Sequence, residues 1–334
     1  MMIKNRLKEY GGYLPFETHL TNKNNLFFQS KVNKVAKLNC GRSSFYVAAR
    51  SLKIKKIYIP YFTCIDTSQP FEDLGVPISF YRLDANLMPL DVDLKEDEYI
   101  LWTNYYGNAT EEMISFIENK YSGQIIADNC HAFFSPPLKN ALNCYSARKF
   151  IGVADGAYLI TDLDISLNIE GLVRDRSSHF MQFLFKQYED GINEGYELSL
   201  INEKRLEKNY GLMSITTEKI LKQVDYKKIL KKRKENFLII HSYLGSLNDF
   251  PVNPSLGTQM YYPFKCKDLF LREKLIKEKV YSPTWWRHVV NEVGEGSIEA
   301  EFALETVLLP IDQRYSIKDM RVLSDLLIKN LQVI

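Results

Sequence analysis

Gln124-Ile125-Ile126-Ala127-Asp128-Asn129-Cys130-His131 joins a short apolar run to a carboxylate and, three residues on, an imidazole. A run this short, closed by polar residues, predicts a buried strand with Asp128 at its end. Lys149 lies 21 positions after Asp128, in Tyr145-Ser146-Ala147-Arg148-Lys149-Phe150-Ile151-Gly152-Val153-Ala154-Asp155-Gly156, just past a second apolar stretch. An acid at one strand end and a lysine near the next is what pyridoxal phosphate chemistry needs. The lysine amine forms a Schiff base with the cofactor aldehyde. The carboxylate pairs with the pyridinium nitrogen and makes the ring an electron sink.

Outward from this pair, the chain alternates strand-like and helical segments over about its first 240 residues. Helices are expected at Gly41 to Leu52, at Thr67 to Leu74 before Gly75, and at Thr110 to Lys120, where Thr110 is a cap with Glu111 and Glu112 in the first turn. Strands are expected at Ile57-Tyr58-Ile59, Ile78 to Tyr81, Tyr99 to Trp102, Cys144-Tyr145 and Gly156 to Thr161. Nearly continuous apolar strands alternating with helices predict an α/β, three-layer, mainly parallel sheet. Ligands bind such sheets at the carboxyl ends of the strands. One long helix is expected from Thr216 to Leu247. A smaller α+β unit follows, with strands near Met260 to Tyr262 and Thr306 to Leu309 and helices at Asp268 to Lys279 and Ile317 to Leu331. The expected division is a large domain, 1–235, with an N-terminal arm, and a small C-terminal domain, 236–334, with a cleft between them.

Composition narrows the function classes. The 334 residues carry 43 basic and 41 acidic side chains, a formal net charge of +2, which points to neither nucleic acid nor an anionic membrane as partner. The densest basic run, Lys227 to Lys234, alternates with apolar residues at helical spacing and reads as a solvated helix face. The first ten residues have no signal-like apolar core, and no stretch approaches the ~18–20 apolar residues of a membrane span. The five cysteines, Cys40, Cys64, Cys130, Cys144 and Cys266, are scattered, so neither a disulfide framework nor a metal site is expected. A cytoplasmic protein with reduced thiols is the expectation.

An ordered set of segments carries a family resemblance. Gly11-Gly12-Tyr13, Gly41-Arg42-Ser43-Ser44, Tyr58-Ile59-Pro60-Tyr61-Phe62-Thr63-Cys64, Asn104-Tyr105-Tyr106-Gly107, Asp128-Asn129-Cys130-His131, Ser146-Ala147-Arg148-Lys149, Asp155-Gly156 and Leu309-Pro310-Ile311-Asp312 occur in turn. The chain resembles, over most of its length, the DegT/StrS-type sugar-nucleotide aminotransferases, pyridoxal phosphate enzymes of fold type I. The resemblance implies that Lys149 is the Schiff-base lysine and proton shuttle, and that Asp128 holds the pyridinium. It also implies that His131 hydrogen-bonds the phenolic oxygen of the cofactor. Ser43, Ser44 and Ser146 would contact the cofactor phosphate, and Asn209 would be lent to the partner subunit of a homodimer. Amino transfer from glutamate to a nucleotide-linked keto-sugar, in surface polysaccharide or related sugar biosynthesis, is the implied activity.

The sequence also departs from the family pattern. Only Ala147 and Arg148 separate Ser146 from Lys149, so Arg148 is expected to share the phosphate or substrate contact. The aromatic that stacks on the cofactor falls near Cys64, with Tyr61 or Phe62 as replacements. Lys208 to Ser214 lacks the arginine expected near Leu212. Two alternatives stay open. One is a lyase or dehydratase with the same cofactor, although Lys149 stands where sugar 3-dehydratases carry histidine. The other is a non-catalytic descendant that binds a nucleotide sugar or a protein. Trp285 and Trp286 are expected mainly to pack, and Asp312-Gln313-Arg314-Tyr315 to form a turn before the last helix.

Overall fold

The computed structural model describes residues 8–21, 34–207, 209–256 and 259–331. Its strands are β1 (Tyr10–Gly11), β2 (Lys34–Leu38), β3 (Lys56–Pro60), β4 (Ile78–Tyr81), β5 (Glu98–Thr103), β6 (Ile125–Asp128), β7 (Ala141–Ser146), β8 (Ala157–Thr161), β9 (Val173–Arg174), β10 (Gly211–Leu212), β11 (Tyr261–Lys265), β12 (Val280–Tyr281) and β13 (Thr306–Pro310). The α-helices are α1 (Gly41–Ser51), α2 (Gln69–Glu72), α3 (Glu111–Lys120), α4 (Gln182–Glu189), α5 (Tyr196–Glu207), α6 (Ile215–Gln223), α7 (Tyr226–Leu244), α8 (Leu271–Lys277), α9 (Val289–Val293), α10 (Ile298–Glu305) and α11 (Ile317–Asn330).

Nine strands form one sheet in the order β4-β3-β5-β6-β7-β8-β2-β10-β9. From β4 to β7 every neighbour is parallel, whereas β8 runs antiparallel to both β7 and β2. Every residue of β6 and β7 is buried, which is why apolar residues occupy both faces of these strands rather than alternating with polar ones. On one face, Phe45, Val47 and Ala48 of α1 pack on Ile57, Ile59, Leu101, Ile126 and Leu142. On the other, Ile100, Trp102, Ile125 and Ala127 meet Phe250, Phe302 and Leu308 from the C-terminal third of the chain. The architecture is therefore the expected three-layer α/β arrangement.

The antiparallel pair β11–β13 forms a second core with Phe237 and Ile240 of α7, Leu275 of α8 and Leu323 of α11. The N-terminal β1 adds to this unit by pairing in parallel with β12. Helix α7 links the two cores: Ile229 belongs to the sheet's side, Phe237, Ile240 and Leu244 to the second.

Some expected elements differ. The long helix from Thr216 to Leu247 is two, α6 and α7. Residues 19–21 break it: Thr21 N–H donates to Gln223 O at 2.7 Å, and Asp225 N–H to His19 O at 2.8 Å. Asp225 then caps α7 by accepting from Lys228 N–H at 3.0 Å. The helix expected at Thr67 to Leu74 is a 3₁₀ turn, Ile65–Thr67, followed by the single turn α2, and it closes at Gly75 with φ +67. Helices α4, α5 and α10 occupy stretches where no element was expected. Among the described residues, no helix is long and apolar enough to cross a membrane.

Candidate functional site

Asp128 closes β6 in register with Thr103, the end of β5, and with Cys144 of β7, which runs two residues further to Ser146. Its Oδ1 accepts the Cys130 N–H at 2.9 Å, an Asx-type turn that fixes the carboxylate and swings the chain to His131. β7 ends at Ser146, and Ala147–Lys149 make one 3₁₀ turn. Ala147 N–H donates to Gly156 O at 3.0 Å, tying that turn to the start of β8. The two loops bring Lys149 Nζ to 3.0 Å from His131 Nε2.

His131 is buried, and Trp285 lies on it with ring centroids 4.1 Å apart and planes 15° from parallel. Burial, then the Lys149 charge, push its imidazole well below the ordinary histidine range, so it is neutral at pH 7. The Lys149 amine donates to Nε2. The remaining proton is then assigned to Nδ1, which is buried with no partner. Lys149, His131 and Trp285 line a cleft of about 590 Å³, with Tyr13, Tyr261 and Arg272 among its other walls.

Asp128, Ser43, Ser44, Ser146 and Asn209 are not on the cleft wall. Asp128, Ser43, Ser44 and Ser146 are all buried. Ser43 Oγ donates to Asn39 Oδ1 at 2.5 Å and accepts the Gly211 N–H at 3.3 Å, so it joins α1 to β10. Ser44 Oγ is buried without a partner. Asn209 is exposed, and its carbonyl accepts from Asn39 Nδ2 at 3.1 Å. Arg148 lines the cleft and is held by a partner within the chain. Its guanidinium forks onto Glu203 of α5, with Nη2 to Oε2 at 2.6 Å and a second, shorter contact from Nη1 to Oε1. Near Cys64, Phe62 is committed to the core against Tyr105 (5.4 Å) and Tyr61 to Phe80 (5.2 Å), while Cys64 is exposed. The aromatic ring stacked on His131 at the site, at 4.1 Å, is Trp285.

The expected Asp155-Gly156 pair acts as a hub. Asp155 accepts from Ser214 N–H at 2.7 Å, from Ser214 Oγ at 2.9 Å and from Thr217 Oγ1, so it anchors the start of α6 behind the Lys149 turn.

A buried polar network was not legible in the sequence. Arg233, in the run read as a solvated face, is 1% exposed. Its Nε donates to Gln313 Oε1 at 3.1 Å, and its guanidinium sits over Phe150 at 4.7 Å. Burial lowers Arg233 to about 10, which leaves it protonated at pH 7. Gln313 Nε2 donates to Glu17 Oε2 at 2.8 Å and to Phe150 O at 2.9 Å. Asp312 holds Arg314 at 2.7 and 2.8 Å, and Arg314 reaches Gly11 O and Tyr13 O. The expected turn is therefore a buried latch on the N-terminal segment.

Pyridoxal phosphate fits the residues present. An amine touches a neutral imidazole just past the end of β7, a carboxylate closes the neighbouring β6, and His131 Nδ1 and Ser44 Oγ are buried polar atoms that lack partners. Such atoms are rare in native proteins and are commonly satisfied by a ligand.

No family model matches the chain, and no curated protein matches it in sequence. Its fold is that of several solved structures. PseC from Helicobacter pylori, an aminotransferase involved in the biosynthesis of pseudoaminic acid, superposes with a TM-score of 0.58 at 14% identity, covering 97% of this chain and 99% of that one. CalS13, a sugar aminotransferase from Micromonospora echinospora, gives 0.55 at 14% identity over 89% and 87%. Spr1654 from Streptococcus pneumoniae, in its PMP form, gives 0.58 at 12% identity over 97% and 98%. The resemblance to DegT/StrS-type sugar aminotransferases is thus borne out in the fold, and this chain is built on the three-layer α/β architecture that those enzymes share.

Proposed function

We propose that the protein is a pyridoxal phosphate-dependent aminotransferase of the DegT/StrS type. It would move an amino group from glutamate to a nucleotide-linked keto-sugar, in surface polysaccharide or related sugar biosynthesis. A cytoplasmic homodimer, with Asn209 facing the partner's site, completes the reading. The observation that carries it is the Lys149 amine held 3.0 Å from a neutral, buried imidazole at the strand ends where Asp128 closes β6.

When bound, pyridoxal phosphate supplies an electron sink that stabilises negative charge at the carbon losing a proton. The chain's residues supply the rest. Lys149 Nζ would hold the cofactor covalently, then carry the proton between cofactor and substrate carbons. The Asp128 carboxylate, pinned by the Cys130 N–H, would face the pyridinium nitrogen. His131 Nδ1–H would donate to the phenolic oxygen, with Trp285 fixing the plane of the imidazole. Ser43, Ser44 and Ser146, around the start of α1 and the end of β7, would stand at the phosphate end.

The test is the visible spectrum of purified protein with pyridoxal phosphate, before and after glutamate, for the native chain and for Lys149→Ala. A yellow band that bleaches with glutamate, absent in the variant, is expected. A band indifferent to glutamate would favour a lyase or another donor. No band in the native protein would favour a non-catalytic, ligand-binding role.

A further inference from the structure

Arg148 and Glu203 form a two-point ion pair on the wall of the cleft that Lys149 lines. The geometry of a guanidinium fork suits a carboxylate and a phosphate equally. Here a carboxylate from the chain's own α5 fills it. Three residues further along α5, Leu206 O takes the Cys40 Sγ–H at 3.8 Å, so α5 closes over the start of α1. No side chain caps α1 there, although the first turn of a helix favours an anion. Burial raises the Glu203 carboxyl, but Arg148, Lys149 and Arg42 together outweigh it and hold it below the usual range. An internal carboxylate therefore sits among three cations from two segments, Arg148 and Lys149 of one turn and Arg42 of α1, beside a helix start with a partnerless buried hydroxyl, Ser44 Oγ.

We infer that Arg148 receives the phosphate of the cofactor and that Glu203 is the internal carboxylate which the phosphate displaces. The inference rests on the reading that pyridoxal phosphate is the cofactor. Glu203 holds Arg148 in place while no ligand is bound, because an unpaired guanidinium at a buried site is costly. The same carboxylate opposes a second anion beside it, so it sets how tightly a phosphate-bearing cofactor binds and does not act on a phosphate-free analogue.

The experiment titrates apo protein with pyridoxal phosphate and, separately, with pyridoxal, following tryptophan fluorescence. Glu203→Gln is expected to tighten pyridoxal phosphate about tenfold, the size of one charge-assisted hydrogen bond, and to leave pyridoxal unchanged. Arg148→Gln is expected to weaken pyridoxal phosphate by about the same factor, again sparing pyridoxal. Misfolding cannot produce the first result, because it would weaken both ligands. Unchanged or weaker binding of pyridoxal phosphate to Glu203→Gln, or equal effects on both ligands, overturns the inference and leaves the cofactor reading intact. Native protein that binds neither ligand overturns the cofactor reading, and this inference with it.

Discussion

Replacing Asp155 with Ala removes the acceptor at the hub behind the Lys149 turn. Three donors lose their partner together: Ser214 N–H at 2.7 Å, Ser214 Oγ at 2.9 Å and Thr217 Oγ1. All three residues are buried, so water does not readily replace the carboxylate. Hydrogen bonds to a charged acceptor contribute about 1.5–3 kcal/mol each. Against that stands the desolvation of Asp155 itself, visible in a carboxyl that burial pushes above its ordinary value despite the Ser214 and Thr217 hydrogen bonds. The net expected loss is about 3–5 kcal/mol, among the largest for a single substitution. Urea unfolding at pH 7, followed by tryptophan fluorescence, measures it from the midpoint and slope. Asp155→Asn keeps the shape and one acceptor oxygen, and should lose about half as much. A loss below about 1 kcal/mol for Asp155→Ala would refute the hub, because it would mean that the hydroxyls and the Ser214 N–H find other partners at little cost.

Acid sensitivity should follow the partnered carboxylates. In Glu203, Glu17 and Asp312, burial raises the carboxyl but the partners win and hold it low, through Arg148, the His19 hydrogen bonds and Arg314 respectively. Their contribution is present above the unfolded values of 4.5, 4.5 and 3.8 and is lost as pH falls through the lowered ones. Asp155 runs the other way: its raised value makes ionisation oppose folding, so it regains stability on acidification. A urea midpoint that is flat from neutrality to about pH 5 and then falls is expected, with a shallower fall in Glu203→Gln; an identical acid limb in that variant would contradict the pairing. Gly152→Ala should cost about 3 kcal/mol or more, because the new methyl would lie 1.6 Å from Pro15 O. Limited proteolysis within residues 13–19 would report the release of that segment, and an unaltered digestion pattern would contradict it. Trp285→Ala should let water reach His131 and move its titration up toward the ordinary histidine range, read by NMR; an imidazole that stays neutral across the same pH range would show that other groups shield it.

The local part of the fold was legible because its signals are local. The strand Ile125–Asp128 is apolar on both faces and stops at a carboxylate, and Thr110 caps α3 with the two acids that follow it. The Lys149 turn and Asp128 could be placed at neighbouring strand ends from their order alone. Their meeting through His131 could not, since it depends on the Asx turn at Asp128 and the 3₁₀ turn after Ser146. The break between α6 and α7 was hidden for a related reason. Val224-Asp225 carries no glycine or proline, and the partner that stops the helix, residues 19–21, is about 200 positions away.

Charge was the less legible property, and it decides the character of the cleft. Arg233 read as part of a solvated helix face and Asp312 to Tyr315 as a turn, yet the fold buries Arg233, Asp312 and Gln313 and places Arg233 and Asp312 on the cleft that Lys149 lines. Helical spacing does separate Arg233 from its neighbours: with Tyr226, Ile229 and Phe237 it falls on the buried stripe of α7, while Lys227, Lys228, Lys231 and Lys234 face solvent. A cation on an apolar stripe is a buried charge unless its long stem carries it clear, and only the tertiary partner decides which. For Arg233 that partner is Gln313, which also holds Glu17 and the backbone of Phe150, next to Lys149. The latch therefore connects the N-terminal segment, the long helix and the turn after the last strand to the residue after the proposed catalytic lysine. Changing Gln313 to Leu would leave Arg233 without its Nε acceptor and Glu17 without one of its donors. That variant should loosen the 13–19 segment and weaken cofactor binding together, whereas loss of only one of the two would show that the latch is not a single unit.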